Sequence, residues 1–157
     1  MIKLFAMDVD GTLTDGKIYM SDNGELFKSF DVKDGMGIKI LIENNVLPVI
    51  ITGRTSKIVL NRAQELGITH VYQNITDKKG FLEQLSKKLN ISIEEIAYIG
   101  DDINDLEVLK WVKYSYAPSD SAPEILNNVI YICNKKGGNG AIREAIENVL
   151  DVNNKLL

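Results

Sequence analysis

The sequence is poor in the residues that build disulfide frameworks and zinc sites. It holds one cysteine, Cys133, so no disulfide can form within the chain, and one histidine, His70, without a second histidine or cysteine at metal-ligand spacing. No apolar run approaches the roughly 20 residues of a membrane helix. The apolar stretch before Asp8 is too short for a signal peptide. We therefore expect a cytoplasmic protein without a membrane anchor.

Positive charge is also in short supply. The chain has 18 lysines and arginines against 22 aspartates and glutamates, a formal net charge of −4. A nucleic-acid-binding protein would need a basic face, and this balance does not support one. An anionic small molecule is still compatible, because a local cluster of cations can dominate a single site. With 157 residues, 45% of them apolar, the chain is predicted to form one domain, 1–157.

Short apolar runs alternate along the chain with segments of helical period. Strands are predicted at residues 4–7, 46–51, 71–72, 96–99, 114–117 and 129–132, and helices between them. This alternation predicts an α/β fold, a doubly wound parallel sheet with helices on both faces. Ligands of such sheets bind beyond the carboxyl ends of the strands, so the residues directly after each strand are the candidates for chemistry.

One segment, residues 17–30, breaks the alternation. Asp22-Asn23-Gly24 is a strong turn signal between two β-prone flanks, which predicts a projecting β-hairpin. Tyr19, Phe27 and Phe30 would form an exposed apolar patch on it, which favours a partner surface. The alternative is that these aromatic rings fold back onto their own domain.

Two carboxylates follow the first predicted strand, in Asp8-Val9-Asp10-Gly11-Thr12. Because they are two residues apart in extended chain, Asp8 and Asp10 should point to the same side. Asp8 is the candidate nucleophile and Asp10 the candidate general acid and base. Gly11 allows a sharp turn, and the amides of Gly11 and Thr12 are candidates for binding phosphate. The alternative is an acidic turn that merely ends a strand.

Thr52, Gly53 and Arg54 follow the second predicted strand. The hydroxyl and the amides can bind phosphate oxygens, and a helix predicted over 55–66 would direct its positive end at the anion. Arg54 could bind the polar head of a substrate. The alternative is an ordinary helix cap at Thr52 or Thr55 beside a solvated arginine.

A lysine follows the third predicted strand, in Asp77-Lys78-Lys79-Gly80. The positive end of a helix dipole does not favour lysine at a helix start. The position of Lys78 is explained if the side chain faces an anion, so we expect it to pair with Asp8 and with the phosphate. Two surface lysines are the alternative.

Three carboxylates, Asp101, Asp102 and Asp105, follow the fourth predicted strand. They repel one another unless a cation is present. Magnesium takes hard oxygen ligands, so we predict a Mg²⁺ site formed by Asp101, Asp8 and the backbone carbonyl of Asp10. Asp105 is expected behind these ligands, where it would hold a metal-bound water or orient the lysine at position 78. Asp102 is expected either behind the ligands or as a charge at the start of a helix.

The four clusters, in this order, resemble the motifs of the haloacid dehalogenase superfamily of phosphotransferases. Asp8-x-Asp10-Gly11-Thr12 is similar to the first motif, Thr52 to the second, Lys78 to the third, and Gly100-Asp101-Asp102-x-x-Asp105 to the fourth. The resemblance spans most of the chain. It implies a magnesium-dependent enzyme that works through an aspartyl-phosphate intermediate.

Further segments, at 14–16, 34–38, 51–54, 66–73 and 136–144, resemble the capless 3-deoxy-D-manno-octulosonate 8-phosphate phosphatases. This closer resemblance implies hydrolysis of a keto-sugar acid phosphate in lipopolysaccharide biosynthesis. It also implies a homotetramer built by the hairpin 17–30, in which neighbouring subunits help to close each active site. Related phosphatases act on nine-carbon keto-sugar acid 9-phosphates, and such a substrate is the alternative.

The chain departs from the resemblance at one position of its C-terminal glycine loop. Octulosonate phosphatases usually carry arginine where this chain has Asn139, and the residue is expected to touch the polar end of the substrate from a neighbouring subunit. A neutral amide binds a sugar carboxylate more weakly than a cation does.

A protein of another functional class stays an alternative. A phospho-accepting signalling or regulatory domain also has an acidic pocket, a threonine and a lysine.

Overall fold

The computed structural model of the chain describes residues 1–156, so Leu157, the last residue of the predicted domain, lies outside the described part. The strands are β1 Leu4–Met7, β2 Tyr19–Ser21, β3 Gly24–Phe27, β4 Leu47–Ile51, β5 His70–Tyr72, β6 Ile96–Ile99, β7 Tyr114–Ala117 and β8 Tyr131–Ile132. The helices are α1 Val32–Glu43, α2 Lys57–Leu66, α3 Lys78–Leu89, α4 Leu106–Trp111, α5 Pro123–Leu126 and α6 Ala141–Lys155. None of these helices is long and apolar enough to cross a membrane.

Six strands form one sheet in the order β5-β4-β1-β6-β7-β8, and every neighbouring pair is parallel. The chain leaves β1 toward β4 and β5, then returns to the other side of β1 with β6. The winding direction therefore reverses at β1, and a crevice opens there beyond the carboxyl ends of the strands. This confirms the predicted doubly wound α/β fold.

The sheet buries both of its faces, as the continuous apolar strands require. Successive side chains of β1 point to opposite faces, so Phe5 and Met7 join one core while Leu4 and Ala6 join the other. Helices α1, α2 and α6 cover the first face, and α3, α4 and α5 cover the second. Because β1 is fully buried between these layers, the position of the residues that follow it is set by the sheet.

The predicted strands match the observed ones closely, with one large difference at the edge of the sheet. The strand predicted at 129–132 is ordered as a strand only at Tyr131–Ile132. Ile130 and Ile132 are exposed, because β8 is an edge strand that only β7 pairs. Apolar composition alone predicted a longer strand than this edge supports.

Helix α2 begins two residues later than predicted. Its N-cap is Ser56, whose Oγ accepts a 3.3 Å hydrogen bond from the amide of Val59. The alternative in which Thr52 or Thr55 caps the helix is therefore wrong, because the serine directly before the first turn supplies the cap. The end of the helix is as predicted, with Gly67 in the left-handed region.

The hairpin predicted at 17–30 is present as β2 and β3, which pair antiparallel. The rings of Tyr19 and Phe27 stack with their centroids 4.2 Å apart. Much of the surrounding apolar surface is open to solvent, including Met20, Leu26 and half of Phe27. The two aromatic residues therefore pack on each other, whereas Phe30 packs against the core of its own domain.

Candidate active site

Three neighbouring strands deliver the predicted polar residues to one end of the sheet. Asp8 follows β1, Thr52 follows β4, and Asp101 follows β6, and these strands are adjacent in the sheet. A cavity of about 180 Å³ opens at this end. It is lined by Asp8, Asp10, Thr52, Gly53, Arg54, Asp102 and Asn104. Residues from the first, second and fourth predicted clusters thus share a single cavity.

Lys78 lies beside this cavity at the first turn of α3, although it is a charged residue with a nearly inaccessible side chain. Its Nζ lies 2.8 Å from Oδ1 of Asp8 and 2.8 Å from Oδ1 of Asp105. Burial alone would lower the pKa of Lys78, but the two carboxylates outweigh it and raise the pKa above its ordinary value. A buried lysine therefore lies next to the candidate nucleophile, and the surface alternative is wrong.

Asp105 holds the lysine of this ion pair in place. Its Oδ1 accepts hydrogen bonds from Lys78 and from the hydroxyl of Tyr98, at 2.8 and 2.7 Å. Its Oδ2 accepts from the amides of Asp101 and Asp102. Because these four bonds use the acceptor capacity of a carboxylate, Asp105 orients Lys78 and the loop after β6. Of the two roles expected for Asp105, the geometry favours this one.

The acidic cluster fits a divalent cation. Oxygen atoms of Asp8, Asp101 and Asp105 all lie within 4.8 Å of one another, and Lys78 is the one ammonium in contact with them in residues 1–156. Three carboxylates against one cation leave excess negative charge in a buried place. Burial, with the charge of Asp105, raises the pKa of Asp8 well above its ordinary value, and burial raises the pKa of Asp101 to about 6. A divalent cation that prefers oxygen ligands would reduce the unfavourable free energy of these buried negative charges.

The available ligand atoms single out two of the three carboxylates. Asp105 is saturated with protein donors, so Asp8 and Asp101 are the side chains that could hold a Mg²⁺ ion. Thr12, fully buried, steadies Asp101 through a 3.1 Å hydrogen bond from its hydroxyl. A Cβ at Gly11 would collide with the Asp101 carboxylate, so the glycine makes room for this ligand. The backbone carbonyl of Asp10 stays a predicted third ligand.

The amides assigned to phosphate binding from the sequence need correction. The N–H of Gly11 donates to Oγ1 of Thr14, and the N–H of Thr12 donates to the carbonyl of Val9. Both groups are therefore used inside the turn. In residues 1–156, the N–H groups of Val9 and Asp10 have no such partner, so the free donors precede Gly11 instead of following it. The motif alone does not show the type of turn, so the free N–H donors were assigned to the wrong residues.

The residues of the second predicted cluster line the same cavity. Thr52 is buried, whereas Gly53 is exposed and its N–H has no partner among residues 1–156. Arg54 is half exposed, and its Nε lies 3.8 Å from Oδ2 of Asp10. Thr52, Gly53 and Arg54 are thus placed where a phosphate and its organic group could be bound.

Two predicted residues lie outside the centre of the site. Asp102 is exposed at the rim, where its carboxylate accepts from the amide of Ile103 and begins a short 3₁₀ turn. Asn139 lines a separate cavity of about 360 Å³ near the start of α6, together with Lys33 and Arg143. The expected contact of Asn139 with substrate involves a neighbouring subunit and stays a prediction.

Sequence reasoning missed one residue that lines the cavity and two that are linked to it through Asp10. Asn104 lines it directly. Lys28 and Glu25, both on the hairpin, form a chain of short contacts to Asp10. The acidic motif could have drawn attention to Asn104, which stands inside it. No sequence signal identified Lys28 or Glu25, because the path of a projecting hairpin is decided by the fold.

Comparison with known proteins agrees with this geometry. Residues 68–146 match the haloacid dehalogenase-like hydrolase family. Over 155 residues the chain is 43% identical to the 3-deoxy-D-manno-octulosonate 8-phosphate phosphatase of Yersinia pestis, covering 99% of this chain and 83% of the relative. The chain belongs to the 3-deoxy-D-manno-octulosonate 8-phosphate phosphatase family. The corresponding protein of Escherichia coli K12 is 42% identical, covering 99% of this chain and 82% of the relative.

Solved structures of this phosphatase family have the same fold. The Yersinia pestis phosphatase superimposes with a TM-score of 0.94 at 43% identity, covering 99% of this chain and 84% of the other. The Moraxella catarrhalis phosphatase, solved with magnesium, phosphate and 3-deoxy-D-manno-octulosonate, also gives 0.94 at 43% identity, covering 98% and 88%. A cobalt-bound form from Haemophilus influenzae gives 0.94 at 36% identity, covering 98% and 90%. These matches favour a phosphatase over the signalling-domain alternative.

Proposed function

We propose that this chain is a magnesium-dependent phosphatase that hydrolyses 3-deoxy-D-manno-octulosonate 8-phosphate. The observation that carries the proposal is the buried Asp8–Lys78 pair beside a polar cavity at the switch point of the sheet. This site occurs in a chain that is 42 to 43% identical to phosphatases named for that substrate. Phosphoryl transfer needs a nucleophile, cations and free N–H donors at one place, and this cavity offers them together.

The first chemical step forms a bond and breaks one at phosphorus. A carboxylate oxygen of Asp8 attacks the phosphorus atom, and the bond from phosphorus to the sugar oxygen breaks. Asp10, two residues on and lining the same cavity, donates a proton to the departing sugar oxygen. The products of this step are the free sugar acid and an aspartyl-phosphate on Asp8.

The second step returns the enzyme to its starting state. Asp10, now deprotonated, accepts a proton from water, whose oxygen attacks the phosphorus of the aspartyl-phosphate. The bond from phosphorus to Asp8 breaks, and inorganic phosphate is released. One carboxyl group therefore serves as acid in the first step and as base in the second.

Charge on the phosphoryl oxygens is met by groups that the fold holds in place. Lys78 remains protonated beside Asp8, and the free N–H groups of Val9, Asp10 and Gly53 can donate to the oxygens. Asp8 and Asp101 would hold a Mg²⁺ ion, which would neutralise part of the same charge. Preorganised donors of this kind supply much of the rate acceleration in phosphoryl transfer.

Assembly is a separate part of the proposal. The hairpin bears an exposed apolar surface at Ile18, Met20, Leu26 and Phe27, with 39, 65, 58 and 47% of these residues exposed. Such a surface on a projecting element supports contact with other copies of the chain, and we propose a homotetramer formed through hairpin 17–30. The predicted cytoplasmic location also stays a proposal.

The experiment measures phosphate release from three esters by purified protein in the presence of Mg²⁺. We expect the highest kcat/KM with 3-deoxy-D-manno-octulosonate 8-phosphate, above that of a nine-carbon keto-sugar acid 9-phosphate or p-nitrophenyl phosphate. A preference for the nine-carbon ester would agree with the proposed phosphatase mechanism but would show that the proposed substrate is wrong. Asn139 is the specific reason to include that ester, because the chain lacks the usual cation there. No turnover of any ester would reject the function itself.

A further inference from the structure

The hairpin reaches back to the cavity of its own chain through a lysine. Nζ of Lys28 lies 2.6 Å from Oδ1 of Asp10, and the Lys28 side chain is only 2% exposed. The same ammonium lies 2.8 Å from Oε1 of Glu25. Both contacts have the length of charge-assisted hydrogen bonds. A residue of the projecting hairpin therefore holds the carboxylate to which the proposed mechanism assigns both proton transfers.

The far end of this network is fixed to the main body of the protein. Oε2 of Glu25 accepts a 2.6 Å hydrogen bond from Oγ of Ser56. Ser56 is buried and caps α2 by accepting from the amide of Val59. Lys28 is thus held between a carboxylate of the site and a carboxylate anchored to a helix terminus. Such support limits the orientations that the Asp10 side chain can take.

The ammonium of Lys28 is poorly suited to binding substrate itself. It is enclosed, and two of its three N–H donors already have carboxylate partners. Burial alone would lower the pKa of Lys28, but these two carboxylates outweigh it and raise the pKa. The cation that remains accessible near Asp10 is Arg54, which is half exposed and makes only a loose 3.8 Å contact.

We propose that Lys28 is a positioning residue, which holds the Asp10 carboxyl in the orientation that protonates the departing sugar oxygen. Glu25 and Ser56 keep Lys28 in place. The proposal depends on the proposed function, because it takes Asp10 as the general acid. Its physical basis is that a proton donor misplaced by about 1 Å can cost about 100-fold in rate.

Esters with different leaving groups can distinguish a positioning role of Lys28 from a merely structural one. A sugar alkoxide is a poor leaving group and needs a proton as its bond to phosphorus breaks, whereas p-nitrophenolate leaves without one. The ratio kcat/KM contains only the steps up to formation of the aspartyl-phosphate. Misplacing Asp10 should therefore lower kcat/KM for the sugar ester and spare the nitrophenyl ester. General damage to the site would lower both.

The experiment compares Lys28→Met with the conservative Lys28→Arg and with Lys39→Met, which removes an exposed lysine of α1, outside the hairpin. With Mg²⁺ saturating, Lys28→Met should lower kcat/KM for 3-deoxy-D-manno-octulosonate 8-phosphate by about 10- to 100-fold. The value for p-nitrophenyl phosphate should stay within about threefold, on the same general-acid argument. Lys28→Arg should recover part of the loss, and Lys39→Met should match the wild type.

Two outcomes would overturn the proposal. In the first, Lys28→Met lowers kcat/KM equally for both esters although circular dichroism shows that the protein is folded. In the second, Lys28→Met lowers kcat/KM for neither ester. Glu25→Gln is the second variant, and it should give a smaller loss that again affects the sugar ester selectively.

Measurements on the wild type keep the two proposals apart. The wild type could hydrolyse glucose 6-phosphate but not the eight-carbon ester. In that case the proposed substrate is wrong, and the Lys28 variants are compared with glucose 6-phosphate as substrate. If the wild type hydrolyses only the nitrophenyl ester, a general acid for sugar leaving groups is absent and the role of Lys28 fails.

Discussion

Nζ of Lys78 and Oδ1 of Asp8 lie 2.8 Å apart, although 70 positions separate the two residues in the sequence. Their side chains are 1 and 7% exposed. A buried ion pair contributes little net stability, since both charges lose their hydration. It does hold a carboxylate in one orientation with a cation beside it. We therefore expect the two partners to differ in what their removal does to the protein.

Asp8→Asn should abolish turnover and leave the fold intact. The amide has nearly the shape of the carboxylate but is a far weaker nucleophile, so kcat should fall by at least about 10³-fold. Phosphate release from the preferred ester measures the loss, and circular dichroism checks the fold. Asp151→Asn, which changes an exposed carboxylate of α6, is the control. Activity of Asp8→Asn close to that of the wild type would refute the nucleophile assignment.

Lys78→Met should destabilise the protein as well as inactivate it. Methionine fills the space but leaves Asp8 and Asp105 buried without their cation, and breaking a buried pair costs about 3 kcal/mol or more in the free energy of unfolding. Urea unfolding at neutral pH measures this change. Lys79→Met, one position along the chain and without an ion pair in residues 1–156, should stay within about 0.5 kcal/mol of the wild type. Equal stabilities for the two variants would contradict the assigned ion pair.

Mg²⁺ should stabilise the protein more at pH 8 than at pH 5. Burial raises the pKa of Asp101 from 3.8 to about 6, so without metal the stability contribution of this group is present below pH 4 and is lost as the pH rises through 6. Mg²⁺ needs the ionised carboxylate, so its binding strengthens over the same interval. Thermal unfolding with Mg²⁺ and with a chelator measures the difference. Asp101→Asn should remove most of the Mg²⁺ effect, and a shift independent of pH would contradict the expectation.

A second pH effect is expected away from the metal site, at Asp34. This buried residue of α1 accepts a 2.9 Å hydrogen bond from the amide of Arg143 in the first turn of α6, and its other oxygen has no partner in residues 1–156. Burial raises its pKa from 3.8 to about 6. The folded-state pKa exceeds the unfolded one, so the contribution of Asp34 to stability is present below pH 4 and lost through pH 6.

Asp34→Asn removes this titration. Compared with the wild type, the variant should gain up to about 3 kcal/mol in the free energy of unfolding between pH 4 and pH 7.5, since one pKa unit corresponds to about 1.4 kcal/mol. The comparison uses urea unfolding at both pH values with a chelator present. A stability difference between the two proteins that does not change with pH would show that Asp34 titrates normally.

Met20→Glu should dissociate the proposed tetramer. Met20 is 65% exposed on the hairpin, and a charge there would be buried in any contact between hairpins. Ile130→Glu changes a residue that is 67% exposed beside the edge strand β8 and should leave the assembly unchanged. Light scattering at micromolar concentration measures the mass. A monomeric wild type, or a Met20→Glu protein of unchanged mass, would contradict the assembly.

The sequence predicted the order of strands and helices and most of the polar residues around the cavity. Apolar alternation and turn signals are local features, so they can be read without knowing the rest of the chain. Once a parallel sheet was expected, residues after neighbouring strands had to meet at its carboxyl end. Asp8, Thr52 and Asp101 were found in this way, and the structure places them just beyond the carboxyl ends of adjacent strands.

The same reasoning failed where the direction of a single group mattered. Gly11 and Thr12 were assigned free amides, but a tight turn uses both of them, and Val9 and Asp10 carry the free donors. Ser56 caps α2 in place of Thr52 or Thr55. Each error arose because composition states which groups are present and leaves open which acceptor each donor finds.

The sequence by itself therefore determined the chemical inventory and its location: an acidic pair, a lysine and a second acidic cluster at the ends of buried strands. Only the tertiary structure decided how these groups are paired. Of the two roles expected for Asp105, the contact with Lys78 is the one present, and Lys28 of the hairpin contacts Asp10. Hydrogen bonds and ion pairs depend on distances of a few ångströms between residues far apart in the chain. Such distances exist only once the helices and the hairpin have packed.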